Sequence, residues 1–270
     1  MQVIIRPDRW KAAKLAADLI AREIRNKPSL VLGLATGRTM ERVYAELVRQ
    51  HREENLDFSL VRTFNLDEYV GLPPDDPGSY RFYMNKHLFS QVNIDIKNTH
   101  LPNGLAEDLE AECRYYEAQI QACGGIDVQL LGLGKSGHIG FNEPLSAFKS
   151  RTREKALTPT TIRQNARLFP RPEMMPKRGI TMGVGTILEA RKCILLVTGD
   201  SKAALLAKAV EGPVTAMISA TALQWHPNCQ VIVDEEAAEE LIHKDYYRWI
   251  FENEPEWAPF RDPKEGDDTP

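Results

Sequence analysis

The sequence contains few cysteines, and their spacing matches no familiar metal site. The four cysteines form no Cys-x-x-Cys pair, and no histidine lies at zinc-finger spacing from them: Cys113, Cys123, Cys193 and Cys229. Four cysteines in 270 residues are also too few for the disulfide framework of a small secreted protein. We therefore predict buried free thiols in a reducing cytoplasm, with no bound metal.

Long apolar runs and an excess of positive charge are absent as well. The longest uninterrupted apolar runs have five residues, whereas a membrane-spanning helix needs roughly 20. The chain carries 34 basic and 38 acidic residues, a net charge of −4, and a nucleic-acid-binding protein usually has a basic excess. Residues 1–8 are typical of a strand and a turn rather than a secretory signal. We predict a cytoplasmic protein that binds neither nucleic acid nor membranes.

Short apolar strands instead alternate with helical patterns along most of the chain. Strands are predicted at 3–6, 30–35, 60–66, 127–133, 193–197 and 230–233. Helices are predicted at 10–25, 40–51, 80–89, 109–123, 201–210 and 235–241. This alternation indicates an α/β fold with parallel strands and helical crossovers. No linker divides residues 1–251, so we expect a single domain followed by a tail.

The tail, residues 252–270, differs from the rest of the chain in composition. It holds seven acidic residues, two basic residues and four prolines. Such a segment buries little apolar surface. We predict that it is disordered or loosely attached.

Candidate chemistry follows the strands, because ligands bind beyond the carboxyl ends of a parallel sheet. Thr36, Gly37, Arg38 and Thr39 come between a strand and a helix, where backbone N–H groups suit an anion. The adjacent carboxylates at 67 and 68 follow the next strand and could supply a general base. Taken alone, the first motif is more often a plain tight turn and the second an ordinary pair of surface acids.

Residues 134–144, Gly-Lys-Ser-Gly-His-Ile-Gly-Phe-Asn-Glu-Pro, are the most specialised segment. Three glycines allow a ligand to approach the backbone closely. His138 can move protons near neutral pH, and Glu143 is near enough in sequence to orient its imidazole. Lys202 opens a later helix, and Arg163 and Arg167 lie in a region with little pattern. Each of these cations could meet an anion, although a solvated charge is the commoner role.

These pieces, in this order, resemble the glucosamine-6-phosphate deaminase (isomerase) family. The resemblance runs from about residue 31 to residue 241, and five segments carry it: 63–72 (TFNLDEYVGL), 137–144 (GHIGFNEP), 150–153 (SRTR), 181–188 (TMGVGTIL) and 223–227 (LQWHP). It implies a Rossmann-like open, mostly parallel sheet with helices on both faces in a single catalytic domain. It also implies conversion of an amino-sugar 6-phosphate to a ketose 6-phosphate and ammonia, without an organic cofactor.

The resemblance implies roles for individual residues. Asp67 matches the base of the enolisation step. His138 matches the proton shuttle of ring opening, with Glu143 as its partner. The positions that match the phosphate site are Thr36, Gly37, Thr39, Arg167 and Lys202.

Two positions depart from the family pattern. Ser136 stands where the family usually has Asp, or Asn in some members, and it belongs to the ring-opening group with His138. Arg38 stands in the phosphate turn where a small residue is common. Ser146, Arg153 and Lys155 match an N-acetylglucosamine-6-phosphate activator site that some members form between subunits. The resemblance thus also implies a homo-oligomer, which is a hexamer in some members.

Three functions stay open at this point. The first is deamination of glucosamine 6-phosphate, and the second is the same reaction on another hexosamine phosphate, such as the galactosamine epimer. The third is a sugar-phosphate sensor without turnover, which only Ser136 favours. A 6-phosphogluconolactonase ranks low, since its histidine turn lacks the Phe-Asn-Glu-Pro continuation. An assay for released ammonia separates an enzyme from a sensor.

Overall fold

The computed structural model describes residues 1–166, Phe169 and residues 171–261. The strands are β1 (Gln2–Arg6), β2 (Val31–Leu34), β3 (Arg62–Asn65), β4 (Asp67–Tyr69), β5 (Thr99–His100), β6 (Val128–Gly132), β7 (Arg153–Ala156), β8 (Arg178–Thr181), β9 (Lys192–Val197) and β10 (Cys229–Asp234). The α-helices are α1 (Arg9–Asn26), α2 (Arg38–Glu54), α3 (Tyr80–His87), α4 (Leu109–Ala122), α5 (Pro159–Ala166), α6 (Val184–Leu188), α7 (Ala203–Val210) and α8 (Lys244–Asn253).

A seven-stranded sheet forms the centre of the protein, in the order β1-β10-β9-β6-β2-β3-β5. All neighbouring strands in it are parallel, which confirms the predicted α/β class and Rossmann-like sheet. The chain runs outward from β2 through β3 to β5 and then returns to the other side of β2 as β6. The carboxyl ends of β2 and β6 therefore flank the reversal in strand order, the place where open α/β sheets bind ligands.

Local sequence signals explain where the helices begin and which faces they bury. Ser79 begins α3, because its hydroxyl accepts a hydrogen bond from the Phe82 N–H at 3.0 Å. Asp8 caps α1 in the same way through the N–H groups of Trp10 and Lys11. Apolar residues at helical spacing form one buried face of α2: Met40, Val43, Tyr44, Leu47 and Val48. No helix in the described part of the chain is long and apolar enough to cross a membrane.

A small antiparallel sheet, in the order β4-β8-β7, is the main element that the sequence did not predict. In this sheet, Thr181 of the central strand β8 pairs with Asp67 of β4 on one side and with Arg153 of β7 on the other. Asp67 and Glu68 therefore lie in a short strand rather than in a turn. A separate apolar cluster accompanies this sheet: Tyr69, Phe141, Leu157, Phe169 and Met175.

Two predictions near the carboxyl end were wrong. Residues 235–240 form turns instead of a helix, because the N–H groups of Glu239 and Leu241 donate to carbonyls three residues back, at Glu236 and Ala238, rather than four. The described part of the tail is not loosely attached, since residues 255–260 form a 3₁₀ helix and Trp257 is fully buried near Phe251. Residues 262–270 lie outside the described residues.

Candidate active site

A cleft of about 420 Å³ opens at the carboxyl edge of the parallel sheet. Its walls come from the segments that follow β2, β3 and β6, as the strand-order reversal predicts. Seven of the residues singled out from the sequence line this cleft together: Thr36, Gly37, Arg38, Thr39, Asp67, His138 and Lys202. Segments separated by more than 160 residues in sequence thus meet at one site.

Asp67 is a buried carboxylate in the cleft wall, with 5% of its surface exposed. Burial, and then the nearby charge of Glu68, raise the pKa of Asp67 to about 8, against the opposing effect of a hydrogen bond from the Phe141 N–H. Gly140, at φ +55°, passes so close that a Cβ there would lie 3.4 Å from Asp67 Oδ2. Asp67 is therefore a carboxyl group that can hold or release a proton near neutral pH.

Glu68 has a different role, although it is the next residue and equally buried. Its Oε1 accepts the N–H groups of Tyr69 at 2.8 Å and Tyr80 at 2.9 Å, and its Oε2 accepts that of Arg81 at 2.9 Å. These bonds satisfy the orphan N–H groups at the start of α3. Glu68 therefore anchors α3, and Asp67 is the carboxylate of this pair that lines the cleft.

His138, Glu143 and Ser136 form one hydrogen-bonded group beside the cleft. His138 Nδ1 lies 3.1 Å from Glu143 Oε2, and Ser136 Oγ lies 2.7 Å from Nδ1 and 3.2 Å from Oε2. An Nδ1–H donated to the carboxylate leaves Nε2 to exchange a proton with a ligand. The geometry is that of a carboxylate-oriented histidine with a serine hydroxyl beside both groups.

Two threonines that the sequence did not suggest complete this group. The second carboxylate oxygen of Glu143 accepts hydrogen bonds from the hydroxyls of Thr158, at 3.0 Å, and Thr161. Burial alone would raise the pKa of Glu143, but the hydrogen bonds from His138, Thr161 and Thr158 and the charge of His138 lower it to about 2. Glu143 is therefore a fixed negative charge at neutral pH.

The histidine turn requires a glycine at position 134, because the His138 ring occupies the space of a side chain there. A Cβ at this position would lie 2.0 Å from His138 Cδ2 and Nε2. The Gly134 N–H also donates to the His138 carbonyl at 2.8 Å. The imidazole therefore lies directly against the backbone, and any larger residue would displace it.

The predicted anion-binding turn lies across the cleft, at the start of α2. Gly37 adopts φ +114°, which favours glycine, and no side chain caps the helix that it begins. The Met40 N–H donates to the Gly37 carbonyl at 2.9 Å, so the N–H groups of Arg38 and Thr39 are the ones at this helix start that suit an anion. Lys202 lies in the same wall, where burial, and then the charge of Lys135, lower the pKa of its ammonium to about 8.

Other predicted residues lie outside this cleft. Arg153 donates hydrogen bonds to Ser146 Oγ at 3.2 Å and to Asn142 Oδ1 at 2.9 Å, and Lys155 is exposed on β7. Arg163 is exposed on α5. Arg167 lies outside the described residues, so its place in the phosphate site stays a prediction.

Helix α3 and the segment around α5 supply cleft residues that the sequence did not suggest: Tyr80, Tyr83, Lys86, His87, Asn165 and Phe169. The sequence predicted a helix at 80–89, but its pattern did not indicate which face of that helix meets the ligand. The α5 segment has too little periodicity to predict any contact.

The fold and site define an α/β protein with a ligand cleft at the switch point of an open parallel sheet. Residues 10–232 match the family model of glucosamine-6-phosphate isomerases and 6-phosphogluconolactonases. The chain belongs to this family.

Several curated relatives are about half identical to this chain over most of its length. The glucosamine-6-phosphate deaminases of Hahella chejuensis and Shewanella loihica are each 50% identical over 250 residues. That alignment covers 93% of this chain in both cases, and 95% and 93% of the respective relatives.

Two solved structures are also similar to this chain. A monomeric glucosamine-6-phosphate deaminase superposes with a TM-score of 0.87 at 45% identity, covering 89% of this chain and all of that one. The 6-phosphogluconolactonase of Trypanosoma brucei, at 21% identity and a TM-score of 0.68, covers 89% of this chain and 98% of its own, and it shares the fold. The homo-oligomer and the activator site at Ser146, Arg153 and Lys155 stay predictions.

Proposed function

We propose that this protein is a glucosamine-6-phosphate deaminase, which converts glucosamine 6-phosphate to fructose 6-phosphate and ammonia. One observation carries the proposal: a buried carboxyl group, a carboxylate-oriented histidine and an anion-binding turn line the same cleft. The half-identical relatives are named glucosamine-6-phosphate deaminases, which supports the same substrate for this protein.

Ring opening is the first step, because the C2 proton becomes acidic only next to an aldehyde. A proton must move from the anomeric hydroxyl to the ring oxygen. His138 carries it through Nε2, while the Glu143 carboxylate holds Nδ1 and stabilises the imidazolium. Ser136 lies within hydrogen-bond distance of both groups.

Isomerisation and deamination follow at C1 and C2. Asp67 takes the proton from C2 and delivers a proton to C1, while a proton of the amino group passes to O1, which gives a 2-imino sugar. Water then adds to C2 of the imine, and ammonia leaves as the ketone forms. The charged amino group of the substrate, placed near Asp67, favours the ionised carboxylate that this step requires.

The phosphate acts at a distance from the reacting carbons. The turn at 36–39 and Lys202 hold it across the cleft from Asp67 and His138. Its binding energy fixes C1 and C2 against the two proton-transfer groups.

The direct test is release of ammonia and fructose 6-phosphate from glucosamine 6-phosphate by the purified protein. Galactosamine 6-phosphate serves as the parallel substrate. Faster turnover of the galactosamine epimer would identify it as the true substrate. Binding of both sugars with no ammonia from either would instead identify a sensor.

The pH profile is expected to have a maximum near pH 8. As the pH falls, Asp67, with a pKa of about 8, takes up a proton and can no longer act as a base. As the pH rises, Lys202, also with a pKa of about 8, loses the charge that holds the phosphate. Values of kcat/KM measured between about pH 6 and pH 10 report these groups in the free enzyme.

Lys202→Arg is the matched variant for the pH profile, since a guanidinium stays charged throughout this range. The variant should lose the alkaline fall and keep the acid one. An alkaline fall that is the same in both proteins would contradict the assignment of Lys202.

Ser136→Asp is expected to raise the rate of ammonia release a few fold. A carboxylate beside His138 Nδ1 would favour the imidazolium that ring opening produces. Ser136→Asn is the control, because it has the same size as Asp and no charge. Ammonia release is measured on both hexosamine phosphates over a pH series. Slower turnover of the preferred sugar by Ser136→Asp would show that the serine is an adaptation to that substrate, and no change on either sugar would remove Ser136 from the site.

A further inference from the structure

Two tyrosine hydroxyls bind backbone carbonyls in residues 35–37, the start of the predicted anion-binding turn. Tyr83 Oη donates to the Gly37 carbonyl at 2.8 Å. Tyr44 Oη donates to the Ala35 carbonyl. The Tyr80 hydroxyl donates to the Tyr69 hydroxyl at 3.3 Å instead. The carbonyls of Ala35 and Gly37 are thus each held by one tyrosine.

At Gly37 the turn has no side-chain packing from the described residues, so hydrogen bonds matter there. The space beside the Gly37 α-carbon is open, with no heavy atom within 4 Å of the position that a Cβ would occupy. Its φ is +114°, and glycine populates positive φ values about as readily as negative ones. The residue itself therefore does not fix this conformation. The Gly37 carbonyl accepts two hydrogen bonds, from Tyr83 Oη at 2.8 Å and from the Met40 N–H at 2.9 Å. These bonds therefore help to decide where the adjacent N–H groups point.

Tyr83 differs from Tyr44 in its surroundings. Tyr44 is fully buried in the core, whereas Tyr83 lines the cleft. Its ring lies against His87, with a centroid distance of 4.5 Å, and meets Tyr44 edge-on at 6.4 Å. Burial, and then the charge of Glu41, raise the pKa of Tyr83, so its hydroxyl remains a donor at all physiological pH values.

Tyr83 also connects the turn to the strand of the proposed base. Tyr83 lies on α3, whose first N–H groups are bound by the Glu68 carboxylate. Glu68 is adjacent to Asp67 on β4. Helix α3 is therefore hydrogen-bonded to the Asp67 strand at its start and to Gly37 through Tyr83.

We infer that Tyr83 is a positioning residue that sets the affinity of the cleft for the phosphate group by fixing the Gly37 carbonyl. The inference rests on the proposed function, because it assigns the turn at 36–39 to the substrate phosphate. Tyr83 does not contact the reacting carbons in this account, so its loss should weaken binding and leave the chemical steps unchanged.

The test uses Tyr83→Phe, which keeps the ring and removes the hydroxyl. Tyr115→Phe, at an exposed tyrosine on α4, is the control. Two quantities are measured: KM and kcat on glucosamine 6-phosphate, and Kd for inorganic phosphate by calorimetry. In Tyr83→Phe both KM and the phosphate Kd should rise by the same factor, about 2- to 12-fold for one hydrogen bond. Its kcat should stay close to the wild-type value, and Tyr115→Phe should match the wild type throughout.

The phosphate measurement separates this inference from the proposed function. A wild-type protein that binds phosphate and releases no ammonia would contradict the deaminase activity, and a raised phosphate Kd in Tyr83→Phe would still support the positioning role. An unchanged Kd and KM in Tyr83→Phe would overturn the inference, as would a fall in kcat with no change in KM. A wild-type protein that binds no phosphate would overturn both.

Discussion

Asp67→Asn is expected to lower kcat for ammonia release by about 10²- to 10⁴-fold, the usual contribution of a positioned general base. Asparagine cannot accept the C2 proton at any pH in the range of the assay. Asp67 is a buried carboxylate in the cleft lining, whereas the neighbouring Glu68 is used to cap α3. The measurement is kcat on glucosamine 6-phosphate, with ammonia as the product detected.

The fold and the phosphate site should survive this substitution. Because burial raises the pKa of Asp67 to about 8, its carboxyl group is mostly protonated at pH 7 in the empty cleft, and asparagine is a close neutral replacement. The Tm and the affinity for fructose 6-phosphate should therefore stay near the wild-type values. Glu68→Gln is the control for the neighbouring carboxylate, and it should lower the Tm by weakening the start of α3 while kcat stays within about tenfold of wild type. Turnover by Asp67→Asn at a rate close to wild type would contradict the account.

Glucosamine without its phosphate is expected to be a very poor substrate, with kcat/KM lower by about 10²- to 10⁴-fold. Each hydrogen bond to a charged group contributes about 1.5–3 kcal/mol, and the turn and Lys202 together offer more than one. These contacts do not change during the reaction, so they act on binding and orientation. The measurement is kcat/KM for glucosamine beside glucosamine 6-phosphate.

Lys202→Ala makes this comparison specific to the phosphate site. On glucosamine 6-phosphate the variant should raise KM more than it lowers kcat. On glucosamine it should change little, because the group that Lys202 binds is missing. Arg167→Ala is expected to behave in the same way. Equal efficiency of the wild type on both sugars would contradict the phosphate-site assignment.

The sequence predicted much of this site because the chemistry follows strand ends. The parallel strands, the turn at 36–39 with its one glycine and the glycine-rich turn at 134–140 were visible as local patterns. The topology of the sheet then brings these turns together. The sequence could not show which of Asp67 and Glu68 lines the cleft and which caps α3. Glu68 is the cap because it accepts the N–H groups of Tyr80 and Arg81, which lie twelve and thirteen residues further along the chain.

The parts that the sequence missed are short or depend on distant contacts. The strands of the small sheet have three or four residues each, too few for a period to be recognised. Thr158 and Thr161 matter only because they reach Glu143. The acidic composition of the tail hid Trp257, whose burial attaches residues 255–260 to the domain.

Transfer of the C2 proton through Asp67 is the central claim, and hydrogen exchange in deuterated water tests it most directly. NMR of the sugar follows deuterium at C2 of glucosamine 6-phosphate and at C1 of fructose 6-phosphate, with the wild type and Asp67→Asn in parallel. We expect the wild type to introduce deuterium at these carbons during turnover, and Asp67→Asn to introduce none above the uncatalysed background while still binding the phosphosugar. Exchange by Asp67→Asn at the wild-type rate would show that another group is the base.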